Sequence, residues 1–349
     1  MSFAPGAGQI QPSLTTYSLH FHQRFSALKY SDIPGFIYAY FRSRWALDHI
    51  ARNAITTGVP HTNLGILRSF PVPLPPLPEQ RRIATILGAL DDKIELNRKM
   101  NRTLEEMAQA LFKSWFIDFD GHDTEGLVDS ELGPIPRGWK VVSVGDLAGR
   151  IAMGPFGSNL KKECFTDSGV PIIKGGNLAD GFVDDGFDYV TEAKADELAN
   201  SIAVAGDIVF THRGTLGQVG RIPPSASQPR YVVSQSQMFL RPDDAKVDGL
   251  WFYRWFLDVG MRELLTYTAS TGVPAIGRPS TSLKKLRVVL PPRSVMRDFA
   301  AVAGPLDCRL WNNRRESRTL AELRDTLLPK LISGEFRVPE AEDAVEAAL

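Results

Sequence analysis

Four short stretches carry residue types able to hold an anion or the edge of a nucleic-acid base. The first is Met153-Gly154-Pro155-Phe156-Gly157-Ser158, followed by Leu160-Lys161-Lys162. Glycines there let backbone N–H groups approach a phosphate, and Lys161 and Lys162 add charge. The same composition serves a turn between strands. No Gly-Lys-Ser/Thr follows, so the stretch is not a nucleotide-binding P-loop. The second, Thr211-His212-Arg213-Gly214-Thr215, follows the apolar run from Ile208 and places Arg213 where a strand gives way to a loop. An arginine so placed can bond guanine O6 and N7 together, or form an ion pair with a nearby acid such as Asp207. In the third, Gln235 and Gln237 flank Ser236; one could pair with adenine, or both face solvent. The fourth, Lys174-Gly175-Gly176-Asn177, offers the same choice.

Bond-making chemistry has no such footing. His20, His22, His49, His61, His122 and His212 show no metal-ligand spacing. Cys164 and Cys308 are too few and too isolated for a zinc site or a disulfide framework. No nucleophile–base pair stands out, and no metal or cofactor is called for.

The elements that must position these residues are strands at Val170–Ile173, Ile208–Thr211 and Gln237–Leu240, and a helix near Leu250–Leu264. A strand-like run at Tyr17–Phe25, a helix from Ile33 to Arg52 and an extended Phe70–Leu74 lie further upstream. The dominant element runs from Glu79 to Phe116. Ile83, Leu87, Leu90, Ile94, Leu104, Ala108, Leu111 and Trp115 recur in alternating steps of four and three, with Asn97 and Asn101 in the middle. That is a heptad seam. At about 1.5 Å per residue it predicts a rod of roughly 55–60 Å.

The rod occurs twice. Asp91, Asn97 and Arg102-Thr103-Leu104 recur as Asp307, Asn313 and Arg318-Thr319-Leu320, each 216 residues on. The seam returns as Phe299, Ala303, Leu306, Leu310, Asn313, Leu320, Leu327 and Leu331. Gly304-Pro305 should kink or restart this second helix. A polar Asn97 or Asn313 in a seam fixes register and orientation at some cost in stability. Upstream, Gln23, Phe25, Gly35 and Thr57-Gly58-Val59-Pro60 recur 214 residues on, so residues 17–74 copy 231–290. Nothing at the N-terminus matches 139–214.

With 349 residues, 43% hydrophobic and 23% charged, the composition is that of an ordinary globular protein of two or more domains. Formal net charge is zero, which removes any gross electrostatic case for nucleic acid or membrane. Residues 138–241 hold ten Lys/Arg against eleven Asp/Glu, so any binding face there requires segregated charge. No targeting or membrane-spanning pattern is read, which makes the cytoplasm the default location.

Two globular units, each followed by a long helix that opens on prolines, resemble the specificity subunit of type I restriction–modification enzymes. The resemblance rests on Pro75-Pro76-Leu77-Pro78-Glu79-Gln80-Arg81-Arg82-Ile83, Gly138-Trp139-Lys140, Gly145-Asp146-Leu147, the Gly154–Ser158 loop, Gly169–Ile173 and Thr211–Thr215. It covers nearly everything after residue 20. It implies an α+β fold in which target-recognition domains are joined by two long antiparallel coiled-coil helices. It also implies a non-catalytic chain that reads a split sequence in double-stranded DNA. Methylation and cleavage would reside in partner methyltransferase and restriction subunits. On that basis residues 1–76 are the C-terminal half of a first recognition domain, 77–118 the first spacer helix and 119–137 a linker. Residues 138–292 form a complete second domain, 293–335 the second spacer helix and 336–349 a disordered tail. The half domain would expose an unpaired sheet edge and core, which implies instability alone, pairing with another specificity chain, or a truncated reading frame. The site residues it implies are Phe156, Gly157, Ser158, Lys161, Lys162, Lys174, Asn177, Thr211, Arg213, Gly214, Gln235 and Gln237. The alternative without DNA readout is a coiled-coil adaptor, which the neutral charge favours; an enzyme fused to its own specificity domain is a weaker third reading.

Overall fold

The computed structural model describes residues 32–53, 63, 68, 70–122, 126–269, 272–333 and 335–349. The expected strand at Tyr17–Phe25 and the Thr57–Pro60 loop lie outside the described residues. Two compact units divide the chain, one made of Met1–Arg102 with Asn312–Leu349, the other of Thr103–Trp311.

In the first unit, helix α1 spans Asp32–Arg42 and α2 spans Arg44–Arg52. The single helix expected over 33–52 is interrupted because Ser43 is extended (φ −62°, ψ 146°) and its hydroxyl accepts from the Ala46 N–H at 3.2 Å. A serine that caps so well starts a new helix. Phe70–Pro76 forms neither helix nor strand, and α3 runs Leu77–Phe116 without a break. Its first half packs against the last half of α9, Arg293–Ser333. Ile83, Leu87, Leu90 and Ile94 bury against Leu320, Leu327 and Leu331, as the seam requires. Polar pairs set the direction. Arg324 donates to Asp91 at 2.8 Å, Asn97 Nδ2 to Ser317 Oγ at 3.3 Å, and Asn313 Nδ2 to Asn101 Oδ1 at 2.9 Å. As numbers rise on one helix they fall on the other, so the helices are antiparallel. Asn97 and Asn313 do not meet each other. Each instead reaches the residue equivalent to the other's partner, since Asn101 and Ser317 are also 216 apart.

The tail expected to be disordered forms helix α10, Val338–Glu346. Val338, Ala341 and Val345 share one face and bury into the same core, and Glu340 accepts from the Arg337 N–H at 3.1 Å. A staple of three apolar residues at helical spacing was there to be read.

In the second unit, β1 (Lys140–Ser143) pairs antiparallel with β13 (Arg287–Leu290). Helix α4, Val144–Leu147, follows β1, closed by a reciprocal Ser143–Asp146 capping box. A four-stranded antiparallel sheet has the order β2-β10-β7-β8: Ala148–Met153, Gln237–Pro242, Ile208–Thr211 and Val219–Arg221. A five-stranded sheet has the order β3-β5-β4-β9-β6: Phe165–Thr166, Asp188–Val190, Val170–Ile173, Tyr231–Val233 and Ile202–Ala203. All its pairings are antiparallel except β4 with β9. Helix α5, Glu192–Glu197, lies between β5 and β6 in the chain. Helix α6 (Gly249–Trp255) passes through a π-turn at Phe256–Gly260 into α7 (Met261–Leu265). A short hairpin, β11 (Thr268–Ala269) with β12 (Ala275–Ile276), and helix α8 (Pro279–Lys285) complete the unit.

The core joins Trp251, Phe252 and Phe256 to Phe112, Phe116 and Phe299 of the long helices. The Phe112 and Phe299 rings lie 5.8 Å apart. The buried face of α3 has drifted here: Ala108, Phe112 and Phe116 are buried, whereas Leu104, Leu111 and Trp115 are only partly so. A straight helix of 3.6 residues per turn leaves a strict 3.5 repeat behind in this way. In α9, Leu306 is partly buried while Leu310 is buried. The helix is continuous through Gly304-Pro305 and does not restart there. Pro305 and Ala301, whose carbonyl loses its N–H partner, both face solvent, while Phe299, Ala303 and Leu310 anchor the buried side. Water can take the freed carbonyl, and packing offsets the missing bond.

Residues 119–137, expected as a linker, hold local structure of their own. Val128 and Ile135 form an antiparallel bridge. Phe119, held at φ 59°, packs its ring 5.3 Å from Trp139.

Candidate nucleic-acid interface

The second unit contains a cleft of about 370 Å³ where the ends of β4, β7 and β10 converge. Leu160, Phe165, Lys174, Gly175, Thr211, Arg213, Thr215, Gln218 and Ser234–Gln237 line it. None of these is an acid. Three of the four stretches singled out by residue type therefore meet in one place.

Arg213 sits on the loop joining β7 to β8, whose backbone is held on both sides. Gly214 N–H donates to Pro274 O at 2.8 Å, and Ile276 N–H to His212 O at 2.8 Å. Gly214 (φ 93°) and Gly217 (φ 89°) take the left-handed conformations that turn the loop. The Arg213 side chain itself is exposed and makes no ion pair among the described residues. Asp207, the acid weighed as its partner, is engaged elsewhere. Arg241 donates to both its oxygens at 2.7 Å. Burial still pushes the Asp207 carboxyl above the usual carboxylate range.

Lys174 is half-buried, pairs with Asp188 and lies 4.8 Å from the Phe165 ring centroid. Burial pulls its ammonium below the ordinary lysine range. It contributes less free charge to the cleft than the sequence suggests. Asn177 is buried and fully used. Its Oδ1 accepts from Lys174 N–H at 2.9 Å, and its Nδ2 donates to the carbonyls of Val183 and Asp185. As a base reader it is corrected to a loop brace. Gln237 likewise does not face solvent. Its Oε1 accepts from the Ser234 hydroxyl and its Nε2 donates to Thr211 Oγ1 at 3.2 Å. Buried Thr211 in turn donates to Gln218 Oε1 at 2.9 Å. Gln235 is exposed at the rim.

The glycine loop splits into two roles. A Cβ on Gly154 would lie 1.9 Å from Ser234 O, so this glycine exists for close packing against the cleft wall. Phe156 beyond it is 72% exposed, and Gly157 (φ 58°) has open space around it. Backbone residues 157–160, Ser158 among them, form a 3₁₀ turn, and Lys161 and Lys162 after it are exposed without an ion pair among the described residues.

His212 is buried beside Arg213 with Nε2 unpartnered, and burial lowers its pKa. Gln218 and Ser234 escaped the reading of the sequence. Gln218 stands seven positions beyond Thr211, on the returning arm of the same hairpin, and that pairing was its only signal. Among the described residues no cluster of metal-binding side chains occurs, and no helix is long and apolar enough to cross a membrane.

Paired antiparallel helices with a mixed α/β unit define the class to which the comparisons point. Residues 6–106 match the family described as type I restriction modification DNA specificity domain. The chain is 26% identical over 312 residues to the type I restriction enzyme MjaIX specificity subunit of Methanocaldococcus jannaschii, covering 88% of this chain and 70% of that one. It is 25% identical over 335 residues to the HindI specificity subunit of Haemophilus influenzae, covering 79% and 71%. The fold is shared with the type I restriction–modification system S subunit from M. genitalium, at a TM-score of 0.52 and 17% identity, over 87% of this chain and 73% of that structure. The resemblance read from the sequence is borne out by these similarities, and so are the α+β fold and the paired antiparallel long helices expected with it.

Proposed function

We propose that this chain is the DNA-reading component of a type I restriction–modification complex. The cleft of the second unit reads one part of the target, and the paired helices serve as docking surface for methyltransferase and restriction subunits. The observation that carries the reading is a cleft at the end of a sheet, lined by no acid, that presents a side chain, Arg213, with no ion-pair partner among the described residues. Gln235 lines the cleft, and the exposed Phe156, Gly157, Lys161 and Lys162 flank Leu160 of its lining in the chain; in this reading they touch DNA backbone and base edges. In a unit with slightly more acids than bases, that is the charge segregation a binding face requires. Chemistry is assigned to the partner subunits.

Footprinting the chain together with its methyltransferase subunit tests the proposal. A defined protected sequence is the expected result. Absence of any protected sequence favours an adaptor held together by its helices. Within the footprint, Arg213→Ala is expected to cost about 1–3 kcal/mol and to relax choice at one base position. A loss equal on all sequences would reassign Arg213 to phosphate.

A further inference from the structure

The cleft wall contains a relay of hydrogen bonds whose last member has one half left over. Ser234 Oγ donates to Gln237 Oε1, Gln237 Nε2 donates to Thr211 Oγ1, and Thr211 Oγ1 donates to Gln218 Oε1. Each hydroxyl gives its single proton to the next amide, so the relay runs from Ser234 through Gln237 and Thr211 to Gln218. Its terminal group is the Gln218 Nε2 amide, which has no partner among the described residues. Gly175 makes room for this arrangement, since a Cβ there would lie 3.1 Å from Gln218 Oε1. Gln218 and Arg213 line the same cleft, and both offer donors. The remaining polar side chains of the relay are consumed in bracing Gln218.

We infer that Gln218 is a specificity-determining residue which, with Arg213, reads the acceptor edge of a guanine. The inference rests on the proposed function and deepens it. In the major groove guanine shows two acceptors, N7 and O6, side by side. Adenine and cytosine each place a donor amine there, and thymine offers one acceptor beside a methyl group. A wall that presents an immobilised neutral donor beside a guanidinium matches only the first. A backbone phosphate is also an acceptor, but it is recognised equally whatever the base, and the two sources are separable by sequence.

The test selects bound duplexes from a randomised pool, using the full chain with its methyltransferase subunit. Wild type is expected to fix a guanine in the half-site this unit reads. Gln218→Met keeps the length and removes the donor; discrimination at that single position should fall on the order of tenfold to a hundredfold. Gln218→Glu keeps the shape and can only accept, so preference should move towards cytosine, whose N4 amine donates. Replacing the selected guanine by 7-deazaguanine, which lacks the N7 acceptor, should weaken wild-type binding with no change in the protein. Unchanged selection by both variants, an equal loss on all sequences, or indifference to 7-deazaguanine would each overturn the inference. Failure of wild type to select any sequence would overturn the proposed function itself.

Discussion

Asp91 and Asp307 occupy the same place in the two copies of the long helix, yet the clusters built on them have opposite polarity. In the first unit one carboxylate sits between two guanidiniums, with Arg42 at 2.5 Å and Arg324 at 2.8 Å. In the second, one guanidinium sits between two carboxylates. Arg254, only 2% exposed, reaches Glu105 at 2.6 Å and Asp307 at 3.3 Å, and Arg221 adds a contact to Asp307 at 3.5 Å. The duplicated aspartate recurs, but what faces it does not. Arg324 corresponds by the same offset to Ala108, and Glu105 to Ala321. In both units the aspartate ties a short helix of the globular part, α1 or α6, to a long helix. Duplication kept the tie and let the charges on either side change.

The comparison breaks or sharpens under substitution. Arg254→Ala should be the most damaging change, costing about 3 kcal/mol, because it opens a void at a buried guanidinium and takes from Glu105 and Asp307 a partner they share, although both carboxylates keep contact with water. Arg254→Met should recover part of that loss once Glu105→Gln and Asp307→Asn are added. Asp91→Ala should cost about 1–3 kcal/mol, since Arg42 and Arg324 retain some access to water. Denaturant unfolding with segment-resolved hydrogen exchange would measure both, and equal costs would show that burial does not separate the two clusters.

A smaller effect concerns the seam. Asn97 is fully buried and its Oδ1 has no partner, although its Nδ2 also reaches Glu316 at 2.7 Å. Asn97→Leu should therefore raise stability by about 1 kcal/mol while loosening the choice of register. Asn313→Leu should gain less, because Asn313 Nδ2 is well bonded to Asn101. A larger gain at Asn313 would contradict the assignment.

The smallest effect is a pH dependence. Burial holds His212 neutral with its pKa below the ordinary 6.5. The unfolded chain then takes up a proton before the folded one, so stability is complete above pH 6.5 and declines as pH falls towards the lowered value. His212→Gln should flatten that acid limb of the second unit. An unaltered limb would mean another group is responsible.

Much of the frame was legible because it rests on periodicity. The heptad steps of Ile83–Ile94 and Leu320–Leu331, and the apolar runs at 170, 208 and 237, depend on burial, and burial leaves a pattern. The strand ends were less legible. Asn177, Gln235 and Gln237 look alike in sequence, yet two are buried braces and one is exposed, a distinction made by backbone groups far away in the chain. Gln218 became visible only once β7 and β8 were paired. The bend at Ser43 and the π-turn at Phe256–Gly260 are choices made by local hydrogen bonds, against a helical pattern that continues through them.

Paired cysteines test the antiparallel helices most directly, in a chain carrying Cys164→Ala and Cys308→Ala. Asn101→Cys with Asn313→Cys replaces a hydrogen-bonded pair, and mild oxidation should join them within one chain. Ile94→Cys with Leu310→Cys stands at the 216-residue offset that a parallel pairing would align. The account predicts rapid bridging of the first pair and none of the second. Bridging of the second pair alone would contradict it.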